Sequence, residues 1–172
     1  LLQQAQRSVF IQSPYLVMPE GGLEIFEQLI NRGVRVIINT NSLASTDVGA
    51  VHAGYAKYRK PLLRGGVEIY EFKPQADTAR RGKFDKLGGS SGASLHAKTT
   101  VYDRKALFVG SANLDPRSGK LNTELGILFQ SEPLAQGLSN WFEEHQAHIA
   151  YRVTLDQSQC QQTQPCEGRL QW

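Results

Sequence analysis

Along the first half of the chain, short unbroken apolar runs alternate with stretches in which apolar residues recur every three or four positions. The first spacing reads as a strand buried on both faces, the second as an amphipathic helix. Ser8 to Gln12 (SVFIQ) is the first such run, and the turn residues Ser13 and Pro14 end it. Leu23, Phe26, Leu29 and Ile30 follow at helical spacing, and Gly33 suits the left-handed residue that closes a helix. Val34 to Asn39 (VRVIIN) predicts a second strand, after which Ser45, Thr46 or Asp47 offers a helix cap. Val51, Tyr55, Tyr58 and Leu62 mark the next helix, kinked or shortened by Pro61 and ended at Gly65-Gly66. Val67 to Phe72 (VEIYEF) is the third strand. The order strand, helix, strand, helix, strand predicts parallel pairing in a sheet covered by helices.

The rhythm breaks between Lys73 and Ser94, where Arg80, Arg81, Lys83 and Lys86 precede GGSSG and predict an exposed, mobile, basic loop. Two strands follow close together, His96 to Tyr102 and Ala106 to Gly110, joined by Asp103-Arg104-Lys105. Thr123 to Phe129 (TELGILF) is a further strand. Leu134, Leu138, Trp141 and Phe142 form the core stripe of a closing helix, with Ser131 as its cap and Pro133 in its first turn. Beyond Thr154 the chain turns Gln-rich, which divides it into a domain over 1–154 and a weakly ordered polar tail over 155–172. The whole predicts an α/β fold with a mixed, mostly parallel central sheet flanked by helices, and no internal repeat.

Composition narrows the function classes. With 172 residues, 40% of them hydrophobic, the chain suits one domain with a real core. A net charge of +3 demands no polyanionic partner, and the lack of a Lys/Arg stripe argues against nucleic acid. No apolar run reaches the roughly 18 residues of a membrane span. The start LLQQAQRSVF has neither an initiator Met nor a signal-peptide pattern, so the chain reads as a fragment or a processed piece. Cys160 and Cys166 lack His or Cys partners at metal-ligand spacing, so no metal or cofactor is expected, and they do not report the compartment.

One segment, SLHAKTTVYDRKALFVGSANLD, is dense with reactive residue types. Residues two apart on a strand point the same way, so His96 and Lys98 are expected to project from one face. A neutral imidazole beside a fixed ammonium suits attack on a phosphate diester. Gly110, Ser111 and Asn113 lie just past the neighbouring strand, where a hydroxyl and an amide can hold further phosphate oxygens. Asp103 falls on the opposite face at the hairpin turn and is expected to pin that turn through backbone or Arg104 contacts. A nucleophilic imidazole needs one nitrogen held as a donor, and Glu124, a charge amid the apolar TELGILF, is the candidate partner. Pairing with Arg117 is the plainer alternative for Glu124. Arg117 and Ser118, at the expected pocket mouth, either hold a headgroup or form a solvated turn. His52 is either a helix-surface histidine or part of a headgroup pocket at a strand's C-terminal end.

His96-x-Lys98-x4-Asp103-x6-Gly110-Ser111-x-Asn113 resembles, without a gap, the HKD motif of the phospholipase D superfamily. TNSLASTD, HAGYAKYRKPLL, GVEIYEFKP, GSSGASLHAKT and GSANLDPRS…LNTELG are similar to the C-terminal half of bacterial cardiolipin synthases, most closely the C type. The similarity runs from about Ser8 to Arg152. It implies a phospholipase D-like α-β-α sandwich and a two-step phosphatidyl transfer that needs no metal or cofactor. One HKD histidine then forms a phosphohistidine, and the other protonates the departing alcohol. By matching positions, His96 is one of the two histidines and takes the acid/base role, Lys98, Ser111 and Asn113 are phosphate ligands, Asp103 completes the motif, and Glu124 is the acidic partner. Implied partners are a phospholipid substrate such as phosphatidylglycerol or phosphatidylethanolamine, and the surface of a bacterial membrane, held peripherally. The loop from Arg80 to Lys86 either meets anionic lipid or is simply solvated.

This chain has a single HKD motif: His52 is followed by Ala53 and Gly54, and His145 and His148 lack the lysine. The resemblance therefore calls for an N-terminal HKD half or a second copy of the chain, and for an inactive isolated monomer. The alternatives are a homodimeric, metal-independent nuclease of the same superfamily and an inactive half that binds phosphate or lipid.

Overall fold

Strand β1 (Ser8–Gln12) is apolar on both faces, and a computed structural model, which describes residues 1–46, 49–74, 94–156 and 169–172, shows the sheet built around it. After β1 come α1 (Gly22–Asn31), β2 (Arg35–Asn41), α2 (Gly49–Arg64) and β3 (Glu68–Phe72). The chain continues through β4 (Thr99–Tyr102), β5 (Ala106–Gly110), α3 (Pro116–Lys120), β6 (Gly126–Phe129), α4 (Glu132–Ile149), β7 (Ala150–Asp156) and β8 (Arg169–Gln171). The strands form one sheet in the order β6-β5-β4-β1-β2-β3-β7-β8.

Helices cover both faces. Val9, Ile11, Ile38 and Ile69 of the sheet meet Phe26 and Leu29 of α1 and Tyr55 and Leu62 of α2. Phe10, Ile37, Tyr70 and Val101 meet Ala135 and Phe142 of α4 on the other side. The Phe142 ring is stacked on Phe10 at 4.5 Å and edge-on to Tyr70 at 5.3 Å, a geometry that aromatic quadrupoles favour. Its neighbour Trp141, expected in the same stripe, is instead 46% exposed and stacked on His145.

The α/β sandwich is as expected, but the balance of strand directions is not. Among the described residues, β1/β2 and β2/β3 pair parallel and the five other strand pairings are antiparallel. The reason is connectivity: α1 and α2 are crossover helices that return the chain beside the previous strand, while β4, β5 and β6 follow by hairpin-type pairing. α2 runs through Pro61 to Arg64 rather than stopping at it. Ser45 does not cap it; its hydroxyl is buried 2.9 Å from the Phe72 carbonyl. Asp47, the basic loop from Arg80 to Lys86, Cys160 and Cys166 lie outside the described residues. The expected tail is in part sheet: β7 crosses the 154/155 boundary and pairs Thr154 with Gln171 and Asp156 with Arg169. Ala150 and Val153 of AYRVTLD are buried three residues apart, one in the core on each face of the sheet, a spacing that does not read as a strand in the sequence.

Asp103 anchors the opposite end of β1. It and Arg104 adopt left-handed backbone angles, φ 53° and 57°, between β4 and β5. Its carboxylate accepts the backbone N–H groups of Gln6 (3.0 Å), Arg7 (2.7 Å) and Ser8 (3.0 Å), so it pins through backbone contacts. Burial pushes its pKa up, but the hydrogen bonds from Ser8, Arg7 and Gln6 outweigh that and leave it below the ordinary value of 3.8.

Two stability predictions follow from these contacts. Phe142→Ala should cost about 3–5 kcal/mol of unfolding free energy in urea titration, because it empties the space between Phe10 and Tyr70. Asp103→Ala should cost about 1–3 kcal/mol at neutral pH by leaving backbone donors unpaired. A carboxylate held below its unfolded value stabilises in full above 3.8, and that share is lost as pH falls through the lower folded-state value. Urea titrations at decreasing pH should therefore show a shallower acid loss in Asp103→Asn than in the wild type.

Candidate active site

The strands stop unevenly at the end of the sheet away from Asp103. Gln12 faces both Asn39 and Thr99, and beyond that row β1 turns off at Ser13 and Pro14. Residues 94–98 come in across this end, and the Lys98 carbonyl accepts the Gly110 N–H at 3.0 Å. A Cβ on Gly110 would stand 2.9 Å from the Leu125 carbonyl oxygen, so only glycine lets β5 and the approach to β6 come this close. The loop after β5 is tied down by Ser13, whose Oγ accepts the Leu114 N–H at 3.1 Å, and by a bridge between Leu16 and Leu114. Asp115 caps α3 by accepting the N–H groups of Arg117 and Ser118, both at 2.8 Å. Ser118 Oγ in turn accepts the Asn113 N–H at 3.1 Å.

His96 and Lys98 precede β4 rather than lying on it, because the ladder begins at Thr99. His96 is exposed, and among the described residues its imidazole has no hydrogen-bond partner. Lys98 is half-buried, with Nζ donating to the His96 carbonyl at 3.0 Å. Glu124 also lies outside its predicted strand, since β6 begins at Gly126. Its carboxylate accepts from Ser111 Oγ at 2.5 Å and Asn122 Nδ2 at 3.2 Å. The Ser111 hydroxyl, then the Asn122 amide, with smaller help from Ser118 and the Lys98 charge, hold its pKa below the ordinary range. The expectation of a carboxylate buried in an apolar strand against the imidazole is thus corrected: Glu124 is bound to Ser111, and among the described residues it makes no hydrogen bond to His96 or ion pair with Arg117.

Ser111 also accepts the Leu125 N–H at 3.0 Å. Having given its one proton to Glu124, it has no donor left for a phosphate oxygen and serves here to orient the carboxylate. The Lys98 ammonium and the Asn113 amide bring further donors to this end, and Asn113 Oδ1 is buried without a protein partner among the described residues. Lys98, Ser111, Asn113 and Glu124 are therefore brought to one end of the sheet, beside the segment that carries His96. Asp103 is not: it follows the far end of β4, a four-residue strand that spans about 13 Å at ~3.3 Å per residue. Arg117 is exposed on α3.

His52 is buried rather than on the helix surface, edge-on to Tyr55 at 5.4 Å, and burial lowers its pKa. It lines a cavity of about 10 Å³ with Tyr15, Thr40, Asn41, Thr46 and Tyr55, room for about one water molecule. Among the described residues, no three His, Cys, Asp or Glu side chains gather as metal ligands. No described helix is long and apolar enough to cross a membrane. Sequence reasoning missed Ser13, Asn41 and the Asp115 cap. An Asp-Pro pair ahead of RSGK signals a helix start, and polar residues directly after the apolar VRVII mark a strand end that has side-chain work to do.

The chain is 44% identical over 162 residues to cardiolipin synthase C of Escherichia coli K12, covering 94% of this chain and 32% of that protein. It is 30% identical over 135 residues to cardiolipin synthase A of Pseudomonas aeruginosa, covering 78% of this chain and 24% of that one. The chain thus spans a third or less of the length of these curated relatives. Its fold superposes on the crystal structure of a phospholipase D family member, Nuc from Salmonella typhimurium, with a TM-score of 0.63 at 16% identity, over 88% of this chain and 86% of that one. Residues 1–146 match the family described as cardiolipin synthase, PLD-like domain, and the chain belongs to that family.

Proposed function

We propose that the chain is one motif-bearing half of a phosphatidyltransferase that makes cardiolipin by exchanging alcohols at a phosphodiester. One observation carries this reading: the stretch holding His96, Lys98, Asn113 and Glu124 lies inside the family match, and the His96 imidazole is exposed and unengaged among the described residues. Its ring nitrogens are open to a substrate.

The chemistry needs two histidines. One imidazole attacks phosphorus; a P–N bond forms and the P–O bond to the leaving alcohol breaks, while the second histidine gives that oxygen a proton. An acceptor alcohol then loses its proton to the second histidine and attacks the phosphohistidine, freeing the first imidazole. In this scheme His96 is the acid/base. The Lys98 ammonium and the Asn113 amide hold the non-bridging oxygens, and Glu124, oriented by Ser111, balances the Lys98 charge. The donor is a phospholipid such as phosphatidylglycerol or phosphatidylethanolamine, met at a membrane surface to which the protein is peripheral.

With a single His-x-Lys in the chain, the second histidine comes from an N-terminal HKD half or from a second copy. The edge of the sheet beside the site supports such a partner: Val109 and Ile127 stand opposite each other on β5 and β6, Ile127 is 55% exposed, and Leu121 and Leu125 nearby are more exposed still.

The test uses the full-length protein, vesicles containing phosphatidylglycerol, and EDTA throughout. His96→Ala should lower cardiolipin formation by about 10²–10⁴-fold, the range of a lost acid/base group. Cardiolipin formation at the wild-type rate overturns the reading. Cleavage of plasmid DNA in EDTA by a wild-type protein that makes no lipid product replaces it with the nuclease.

A further inference from the structure

We propose that Asn41 is a positioning residue for the reaction, its carboxamide clasping the peptide of Leu95 so that the next residue, His96, leaves the sheet in a fixed direction. The inference rests on the reading of His96 as a catalytic histidine.

The need for such a clasp follows from the sheet. On one edge β2 is paired as far as Asn41 opposite Phe72, but on the other β1 stops at Gln12 opposite Asn39. β4 starts only at Thr99, opposite Gln12. The segment ahead of Thr99 keeps one bond to β5, from the Gly110 N–H to the Lys98 carbonyl, but on its other side β1 has already turned away. Asn41 takes that place. Its Oδ1 accepts the Leu95 N–H at 2.8 Å, and its Nδ2 donates to the Leu95 carbonyl at 3.0 Å. These are the two bonds that a residue of an antiparallel neighbour exchanges with the one opposite it. Nδ2 also lies 3.3 Å from Ser94 Oγ, which steadies the residue before.

Burial makes the clasp specific. Asn41 is 2% exposed and Leu95 8%, so water does not readily replace either bond. Only a carboxamide offers a donor and an acceptor side by side at this reach: a carboxylate accepts but cannot donate, and an alkyl group does neither. Ser45 Oγ stands beside the clasp, 2.9 Å from the Phe72 carbonyl and 3.2 Å from Asn41 Oδ1, with one proton to give to either acceptor. The His96 ring has no such support among the described residues; its aim depends on the backbone just before it.

The experiment is done in the full-length protein with Asn41→Ala, the near-isosteric Asn41→Asp, and Val153→Ala as a control that weakens the core away from the site. Both Asn41 variants should lose about 10²-fold in kcat, the scale of a misplaced catalytic group, with KM for phospholipid nearly unchanged. Hydrogen exchange at the Leu95 amide should quicken in Asn41→Ala while the amides within β2 stay protected. Val153→Ala should lower the melting temperature and leave kcat intact. The proposal is overturned if whichever Asn41 variant folds keeps kcat within a few-fold of wild type, if Val153→Ala reproduces the kcat loss, or if exchange at Leu95 is unchanged. Failure of the catalytic reading shows separately, as activity retained by His96→Ala, and leaves the exchange measurement as the judge of the clasp.

Discussion

Strand β1 is paired on both edges and buried on both faces, and the molecule is arranged around that constraint. On one side it joins the parallel strands β2 and β3; on the other it meets β4 antiparallel. The β4/β5 and β5/β6 pairings are registered from that second pairing, while β7 and β8 join the sheet at β3. Because Gln12 aligns with both Asn39 and Thr99, the position of β1 decides where the His96 segment crosses the sheet end. At the other end, Asp103 closes the arrangement by taking the N–H groups of Gln6, Arg7 and Ser8. The Asp103 carboxylate thus holds β1 to the β4–β5 turn through its contacts with the backbone leading into β1.

The two ends of the sheet solve one problem differently. Backbone groups that leave a ladder still need partners when buried. At the Asp103 end a single carboxylate satisfies three of them, because the chain entering β1 offers three donors in a row. At the His96 end the strands finish at different heights, and short polar side chains take over one at a time. Ser13 serves Leu114, Asn41 serves Leu95, Ser118 serves Asn113 and Ser111 serves Leu125. That stepped end keeps the His96, Lys98 and Asn113 side chains out of the ladder, where the proposed reading places the phosphate.

The strands SVFIQ and VRVIIN, each built on three consecutive apolar residues, were legible from their short length, their β-branched residues and the polar turn text that ends them. The six motif positions were legible as a set by resemblance. What spacing could not supply was where a ladder begins. His96 and Glu124 each sit in text that reads as strand, yet Thr99 and Gly126 are the first paired residues, because pairing depends on how far the neighbouring strand reaches. A charge amid the apolar TELGILF points to some partner for Glu124 without saying which, and in the fold that partner is the Ser111 hydroxyl. Asn41 was hidden for a related reason. A polar residue at the end of VRVII looks like a loop in one dimension, and its partner at Leu95 lies 54 residues away.

On the proposed reading, the same geometry favours a second unit over the site. Lys98 and Glu124 interact across a surface that water reaches, where charge is well screened, and the His96 ring is in solvent. Fixed charges and dipoles stabilise a phosphoryl transition state far better when water is excluded. The apolar residues on β5, β6 and the loop between them border this end of the sheet, so a partner covering Leu125 and Ile127 would also lower the dielectric over Lys98 and Asn113. On the proposed reading, then, the second unit brings more than its histidine: by closing over the site it strengthens the contacts that this chain already makes.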